Sequence, residues 1–288
     1  MRLTGFIIFL LFCYPYNTQV ITNSSTKVQK LNLQKKINSN QKKGEYITAN
    51  YSEEWETDET AIIICDMWDK HWCAGASERT AEMAPLMNVV VLNARNLGNL
   101  IVHAPGGCME FYKDHPARER AQKYVKSKHK VNVNTLKLPP EKNAKWPIDD
   151  SDGGCDCSPE CKQSHPWTRQ IDVIQIKENA LITDSGEELI SYLQNTGIKN
   201  VILMGVHTNM CIIHRPYGLR SMINAGFNTV LMRDMTDSMY DSKQWPNVSH
   251  CEGTRLMIDY IEKYICPTVL SSEFTKTSRF HFKDDPKY

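Results

Sequence analysis

Buried strands that alternate with helical segments constrain the fold of this chain more than any other feature of its sequence. Residues 61–65 and 201–206 are continuous apolar runs rich in β-branched side chains, as expected of strands buried on both faces. Polar and apolar residues alternate at helical spacing over 78–97, and a helix closed by Gly226 is predicted over 209–225. Such alternation of strands and helices predicts a parallel sheet that is covered by helices on both faces.

Weaker patterns of the same kind extend this prediction along the chain. We predict an α/β fold of three layers, with a central, mostly parallel sheet of about six strands in a Rossmann-like arrangement. The additional strands are predicted over 99–103, 172–176, 229–233 and 267–271, and the additional helices over 117–126, 185–197 and 249–264.

The N-terminal residues read as segments outside this fold. Residues 1–20 have one positive charge and then a short apolar run, which is typical of a secretory signal peptide; an uncleaved signal anchor is the alternative. Residues 21–58 are polar and lack periodicity, which predicts a flexible arm ahead of a domain over 59–288. We therefore predict a protein that is secreted or lies in the lumen of the secretory pathway, without stable membrane insertion. Three N-glycosylation sequons, at Asn23, Asn50 and Asn247, agree with that compartment.

The charge balance excludes one class of partner. Lysine and arginine total 34 and aspartate and glutamate total 33, giving a formal net charge of +1. A strongly basic surface, which a nucleic-acid-binding protein needs, is not expected from this composition.

Chemically active side chains fall at the ends of the predicted strands. In open parallel sheets, ligands bind beyond the carboxyl ends of the strands. Those ends place Asp66, His103, Lys177 and Cys211 at one edge. A cysteine at a helix start can act as a nucleophile because the helix dipole favours its thiolate, and a neighbouring carboxylate can move the proton.

Four segments resemble those of the isochorismatase-like cysteine hydrolases, a superfamily that includes nicotinamidases, N-carbamoylsarcosine amidases and isochorismatases. The resemblance covers about 61–268. The matching segments are 64–69 with the aspartate, 176–180 with the lysine, 205–212 with the cysteine, and 228–234, a following strand that ends in aspartate.

The resemblance implies a catalytic triad of Asp66, Lys177 and Cys211. It also implies a cis peptide bond between Val206 and His207, and an oxyanion hole formed by the backbone amides of His207 and Cys211. The expected activity is hydrolysis of a small-molecule amide or related C–N bond through a cysteine thioester. Two alternatives stay open: a non-catalytic binding relative, and a vinyl-ether hydrolase of the isochorismatase type.

Other residues near the predicted site are candidates for substrate contacts. Trp68, Trp72, His103 and Arg215 are predicted to line the pocket, although the tryptophans can instead cover the sheet edge and Arg215 can instead lie at a surface or subunit contact. We also predict a homo-oligomer.

No cofactor is expected to be required. Nicotinamidases that resemble this chain bind a divalent metal through an Asp-x-His motif after the second strand, and this chain lacks that motif there. His103 and His115 are the remaining candidate ligands for such a metal.

The ten cysteines suggest cross-links as well as a nucleophile. An aperiodic, cysteine-rich insertion spans about 131–170. Its C-x-C-x3-C-x3-H spacing, Cys155, Cys157, Cys161 and His165, is compatible with structural zinc, but disulfides that staple a secreted loop are favoured.

Overall fold

A computed structural model describes residues 28–39, 44–125, 131 and 133–288. The predicted signal peptide, residues 1–20, lies outside the described residues. None of the helices described is long and apolar enough to cross a membrane.

The described residues form one eight-stranded sheet with helices on both faces, which confirms the predicted α/β class. The strand order is β2-β1-β8-β7-β6-β3-β4-β5; neighbours from β8 to β5 are parallel, and β1 is antiparallel to both β2 and β8. The strands are β1 Val28–Asn38, β2 Tyr46–Glu56, β3 Thr60–Cys65, β4 Leu100–Ala104, β5 Leu181–Ile182, β6 Asn200–Val206, β7 Asn228–Asp237 and β8 Thr268–Val269.

Alternation along the central strands divides the core between the two faces. On β3, Ile63 packs with one layer of helices and Ile62 and Ile64 pack with the other. Both faces of β3 are buried because both layers cover it. The helices are α1 Ala74–Leu97, α2 Pro116–Ala121, α3 Gly186–Asn195, α4 Cys211–His214, α5 Leu219–Asn224, α6 His250–Tyr264 and α7 Ser272–Thr275.

For residues 28–38 and 46–56, the structure corrects the prediction of a flexible arm over 21–58. Strands β1 and β2 form an antiparallel hairpin that extends the sheet beyond β8, where Gln34 pairs with Thr268. Only a few of its side chains, chiefly Leu31, Leu33 and Trp55, enter the core. The composition is polar because this edge hairpin is largely solvated, and lysines are common on such edges. The two strands of this hairpin also explain why the sheet has eight strands where about six were predicted.

The prediction of a strand over 172–176 is wrong. These residues are irregular, and the parallel partner of β4 is the two-residue strand β5. Ile174 is buried but Val173 is 43% exposed, so the apolar run does not enter the sheet. Its backbone is satisfied by side chains: the Gln175 amide donates to Asn88 Oδ1 and the Ile174 carbonyl accepts from Gln170 Nε2.

The helix predicted over 209–225 is split into α4 and α5. Arg215, with φ −60° and ψ 154°, is extended. Proline at 216 disfavours helical geometry in the preceding residue, which explains the break. The break lets the chain after α4 turn back toward the end of β3.

Candidate active site

The pairing of β3 with β6 brings the two sequence-predicted catalytic segments together. Cys65 pairs with Gly205, so Asp66 and the nucleophile segment leave the sheet side by side. Gly205 has a φ of +117°, and a Cβ there would lie 2.0 Å from the Cys65 carbonyl oxygen. Only glycine permits this approach of the two strands.

Asp66 is a buried carboxylate that accepts hydrogen bonds from several directions. Oδ1 accepts from the Gly106 amide at 2.6 Å and from Tyr217 Oη at 3.0 Å. Oδ2 accepts from Arg215 Nε at 2.9 Å, and the Cys211 thiol also hydrogen-bonds to this carboxylate. Asp66 therefore connects the candidate nucleophile, a cation and a tyrosine.

Burial sets the protonation chemistry of this cluster. It raises the pKa of Asp66, against the opposing effects of the Arg215 charge and the hydrogen bonds. Burial and the Asp66 charge raise the pKa of the Cys211 thiol, while Arg215 opposes that rise. The resting pair is therefore a neutral Cys211 thiol beside an Asp66 carboxylate that Arg215 stabilises. Such a pair can pass the thiol proton to Asp66 as the sulfur attacks a substrate carbon.

The backbone around Cys211 presents two amides near its sulfur. The Val206–His207 peptide bond is cis, as the resemblance implies. The His207 amide donates to the Cys211 thiol, and the Cys211 amide, as the first of α4, has no carbonyl partner within that helix. These are the amides predicted to form the oxyanion hole.

A pocket opens directly over Cys211. The cysteine-rich insertion contributes Asp150, whose Oδ2 accepts from Asn209 Nδ2 at 2.7 Å. The Arg215 side chain is 36% exposed, so part of its guanidinium faces the opening. The lining residues are Asp150, Asn209, Met210, Cys211, His214, Arg215 and Pro216.

Aromatic side chains form an apolar cluster against which Cys211 packs. Trp68 and Trp167 stack with centroids 4.4 Å apart, and both belong to the apolar cluster against which Cys211 packs. Trp68 Nε1 donates to the Gly106 carbonyl at 3.0 Å. The structure places Trp72 elsewhere, against the cysteines of the insertion. Trp68 therefore lies close to Cys211, but neither it nor Trp72 is among the residues that line the pocket.

Lys177 is not brought to the Asp66 cluster. Its side chain is exposed and has no hydrogen bond or ion pair with the described residues. The lysine lies in the irregular segment that replaces the predicted third strand, which explains its displacement from the sheet edge. Arg215 instead provides the cation that contacts Asp66.

Neither histidine proposed as a metal ligand lies in the pocket. His103 is buried in β4, where its Nδ1 pairs with Gln170 Oε1 at 2.8 Å, and burial lowers its pKa to about 4. His115 caps α2 by accepting from the Ala117 amide at 3.1 Å through Nδ1. His103 is thus a core residue, not the predicted pocket residue, and His115 is a helix cap.

The predicted disulfides of the insertion are also absent among the described cysteines, all of which are free. Cys155, Cys157 and Cys161 gather instead around Cys73, the N-cap of α1. His165, the predicted fourth zinc ligand, is exposed and contacts Trp167.

Sequence reasoning missed Gly106, Tyr217 and Trp167 as parts of the site. The available signals were residue types, namely the glycines of the loop after β4 and the proline at 216, and both segments supply groups to Asp66. Trp167 carries no local signal because the irregular insertion alone places it beside Trp68.

Replacing Gly106 with alanine is expected to lower turnover about 10²-fold. A shift of catalytic groups by about 1 Å from their productive positions can reduce the rate by that factor. The added Cβ would lie 2.8 Å from both Asp66 Oδ1 and Tyr217 Oη, and 2.9 Å from Arg215 Nη2. Turnover of the variant would be measured against wild type, and its thermal unfolding would show whether the variant is folded. Wild-type turnover in the folded variant would contradict a role for this close approach.

Comparison with known proteins agrees with this architecture. The family model described as "Isochorismatase domain" matches residues 60–247. No curated protein is significantly similar in sequence.

Solved structures with similar folds have low sequence identity to the chain. A cysteine hydrolase from Pseudomonas syringae pv. phaseolicola 1448A is 14% identical with a TM-score of 0.48, over 77% of this chain and 93% of that one. An isochorismatase from Pseudomonas putida KT2440 is 11% identical with a TM-score of 0.46, over 76% and 92%. An N-carbamoylsarcosine amidase from Thermoplasma acidophilum is 11% identical with a TM-score of 0.40, over 74% and 96%.

The domain match spans most of the sheet, from β3 into the segment after β7, and includes both Asp66 and Cys211. The chain belongs to the isochorismatase family.

Proposed function

We propose that this protein is a hydrolase that cleaves an amide or related C–N bond of a small molecule, with Cys211 as nucleophile. The observation that carries the proposal is the contact between the Cys211 thiol and the buried Asp66 carboxylate, at the floor of an open pocket. A nucleophile within hydrogen-bonding reach of its base is the arrangement that covalent catalysis needs.

The first half of the reaction forms a thioester. Asp66 accepts the thiol proton while Cys211 Sγ bonds to the carbonyl carbon of the substrate. The backbone amides of His207 and Cys211 would stabilise the oxyanion that develops. Asp66 then gives its proton to the leaving nitrogen, the C–N bond breaks, and ammonia or an amine departs.

The second half hydrolyses the thioester. Asp66, again a carboxylate, takes a proton from a water molecule as that water attacks the thioester carbonyl. The C–S bond breaks, and the proton returns to the sulfur as the acid product leaves. Each step uses protein groups and water and needs no metal or cofactor.

Arg215 takes the place in this mechanism that the family resemblance assigns to Lys177. Its guanidinium contacts Asp66 directly, whereas Lys177 is exposed. A permanent positive charge beside the carboxylate favours its ionised form, which must be present before attack. The part of Arg215 that faces the pocket can also attract an anionic group of the substrate.

A panel of small primary amides, carbamoyl compounds and enol ethers would test the proposal. We expect release of ammonia or an amine, with an acyl adduct at Cys211 in acid-quenched samples examined by peptide mass spectrometry. Hydrolysis of an enol ether to a carbonyl compound, without any adduct, would instead identify the vinyl-ether activity. Binding of panel compounds without turnover would identify a non-catalytic relative. Secretion and homo-oligomerisation remain separate proposals, supported by the sequence alone.

A further inference from the structure

Four cysteines that take no part in the proposed reaction converge beside α1. Cys73 Sγ lies 3.1 Å from Cys155 Sγ and 3.7 Å from Cys157 Sγ, and all three sulfur atoms lie within 4.8 Å of one another. The Cys161 sulfur interacts with those of Cys155 and Cys157. We refer to Cys73, Cys155, Cys157 and Cys161 as the thiol cluster.

We propose that the thiol cluster is a structural zinc site with four cysteine ligands. Structural zinc is bound tetrahedrally by four ligands with Zn–S bonds of about 2.3 Å, so four cysteine sulfur atoms form a tetrahedron with edges of about 3.8 Å. The Cys73–Cys157 separation of 3.7 Å matches that value, and the Cys73–Cys155 separation of 3.1 Å is shorter. Four protein ligands leave no open position for substrate, so the metal would hold structure and would not take part in hydrolysis.

The backbone at the start of α1 is arranged to stabilise negative sulfur. The Ala74 amide donates to Cys161 Sγ at 3.4 Å, and the Gly75 amide donates to Cys157 Sγ at 3.3 Å. These amides begin a 24-residue helix, whose N-terminus carries partial positive charge. Such hydrogen bonds orient and stabilise the ligands of a metal.

Gly75 and Arg79 add to this environment. A Cβ at Gly75 would lie 3.5 Å from Cys157 Sγ and 3.1 Å from Arg79 Nη1, so the absence of a side chain keeps the cation close to the sulfur. Arg79 pairs with Asp237, but its buried Nη2 has no hydrogen-bond partner among the described residues. A zinc ion with four thiolates carries net negative charge, which this guanidinium would offset.

Disulfides fit the cluster less well than a metal does. A disulfide joins two sulfur atoms at about 2.05 Å and leaves each one a single partner. Cys73 here approaches both Cys155 and Cys157, and neither distance is near the bonding value. The sulfur atoms therefore gather as a group and do not form exclusive pairs.

The site would fix the insertion against the nucleophile segment. The thiol cluster packs with Met210, which precedes Cys211, and with Met239. The Met239 amide donates to Asn209 Oδ1 at 2.9 Å, and Asn209 also binds Asp150 of the pocket wall. Losing the metal should therefore loosen both the insertion and the pocket.

Metal analysis of the purified full-length protein tests the proposal directly. After expression with added Zn²⁺ and gel filtration, we expect one zinc per chain by elemental mass spectrometry. Exchange for Co²⁺ should give the visible bands and near-ultraviolet thiolate charge-transfer absorption of a tetrahedral thiolate complex. Each thiol loses its proton on binding, so metal uptake should release acid.

Cys161→Ser is the informative variant, because Cys161 is only half-buried, and Cys251→Ser is its matched control outside the cluster. We expect at least about a tenfold weaker zinc affinity in the first, as for a damaged metal site, and no change in the second. The Co²⁺ spectrum of the wild-type chain gives an independent answer if Cys161→Ser does not fold. Peptide mapping that finds Cys73 disulfide-linked to Cys155 in metal-free wild-type protein would overturn the proposal, as would equal zinc binding by both variants.

Discussion

Cys211→Ala is expected to abolish turnover, with a loss of about 10⁴-fold or more, as for other enzymes that lose their nucleophile. The sulfur is the atom that would bond to substrate, and nothing else in the pocket lining offers a thiol. Turnover and acid-stable acyl adducts would be measured together. The substitution removes a sulfur that burial already keeps in its neutral form, so the fold should persist.

Asp66→Asn separates the proton-transfer step from nucleophilic attack. The amide is nearly the same size but cannot accept the thiol proton, and loss of a general base costs about 10²–10⁴-fold. Cys251→Ser serves as the control, because that cysteine lies on α6 outside the site. Substantial turnover by folded Cys211→Ala would refute covalent catalysis through this residue, and unchanged turnover by Asp66→Asn would refute the role of the carboxylate.

Arg215→Gln is expected to reduce kcat/KM about 10²–10³-fold, whereas Lys177→Gln should change it less than about twofold. Arg215 Nε lies 2.9 Å from Asp66 Oδ2. Without this charge the Asp66 pKa rises, so a smaller fraction of the carboxylate is ionised and able to accept the thiol proton. The Lys177 side chain is exposed and has no hydrogen bond or ion pair with the described residues.

The pH dependence distinguishes this role from a merely structural one. Loss of the Arg215 charge should raise the Asp66 pKa further, so the acidic limb of the kcat/KM profile should move to higher pH. Arg215→Lys, which keeps the charge, should restore part of the activity and shift that limb back. A large defect in Lys177→Gln together with a mild one in Arg215→Gln would instead support the triad implied by the family resemblance.

The fold class could be read from the sequence because its signals are local. The runs at 61–65 and 201–206 are buried on both faces, as short, continuous apolar segments rich in β-branched residues predict. The hairpin of β1 and β2 escaped detection because its stability comes from joining the sheet edge and burying a few residues such as Leu31 and Leu33. Its own composition resembles that of a disordered segment.

Some residues of the candidate site could likewise be predicted from the sequence, and others could not. Asp66 and Cys211 follow strands that their own sequences define, so their proximity could be inferred from the expected sheet. The contribution of Lys177 rested on a strand that does not form, since its apolar residues are split between core and solvent. Arg215 and Tyr217 reach Asp66 because the chain turns back after α4, which periodicity does not reveal.

By itself, the sequence determined the parallel α/β sheet and the aspartate and cysteine at its edge, whereas the cis peptide bond at Val206–His207 was implied by the family resemblance. Tertiary structure decided which cation contacts the Asp66 carboxylate and which cysteines lie against Cys73. The physical reason is distance along the chain: strand and helix patterns depend on neighbouring residues. Arg215 and Asp66, or Cys73 and Cys155, come together only when the whole sheet and its insertion are packed.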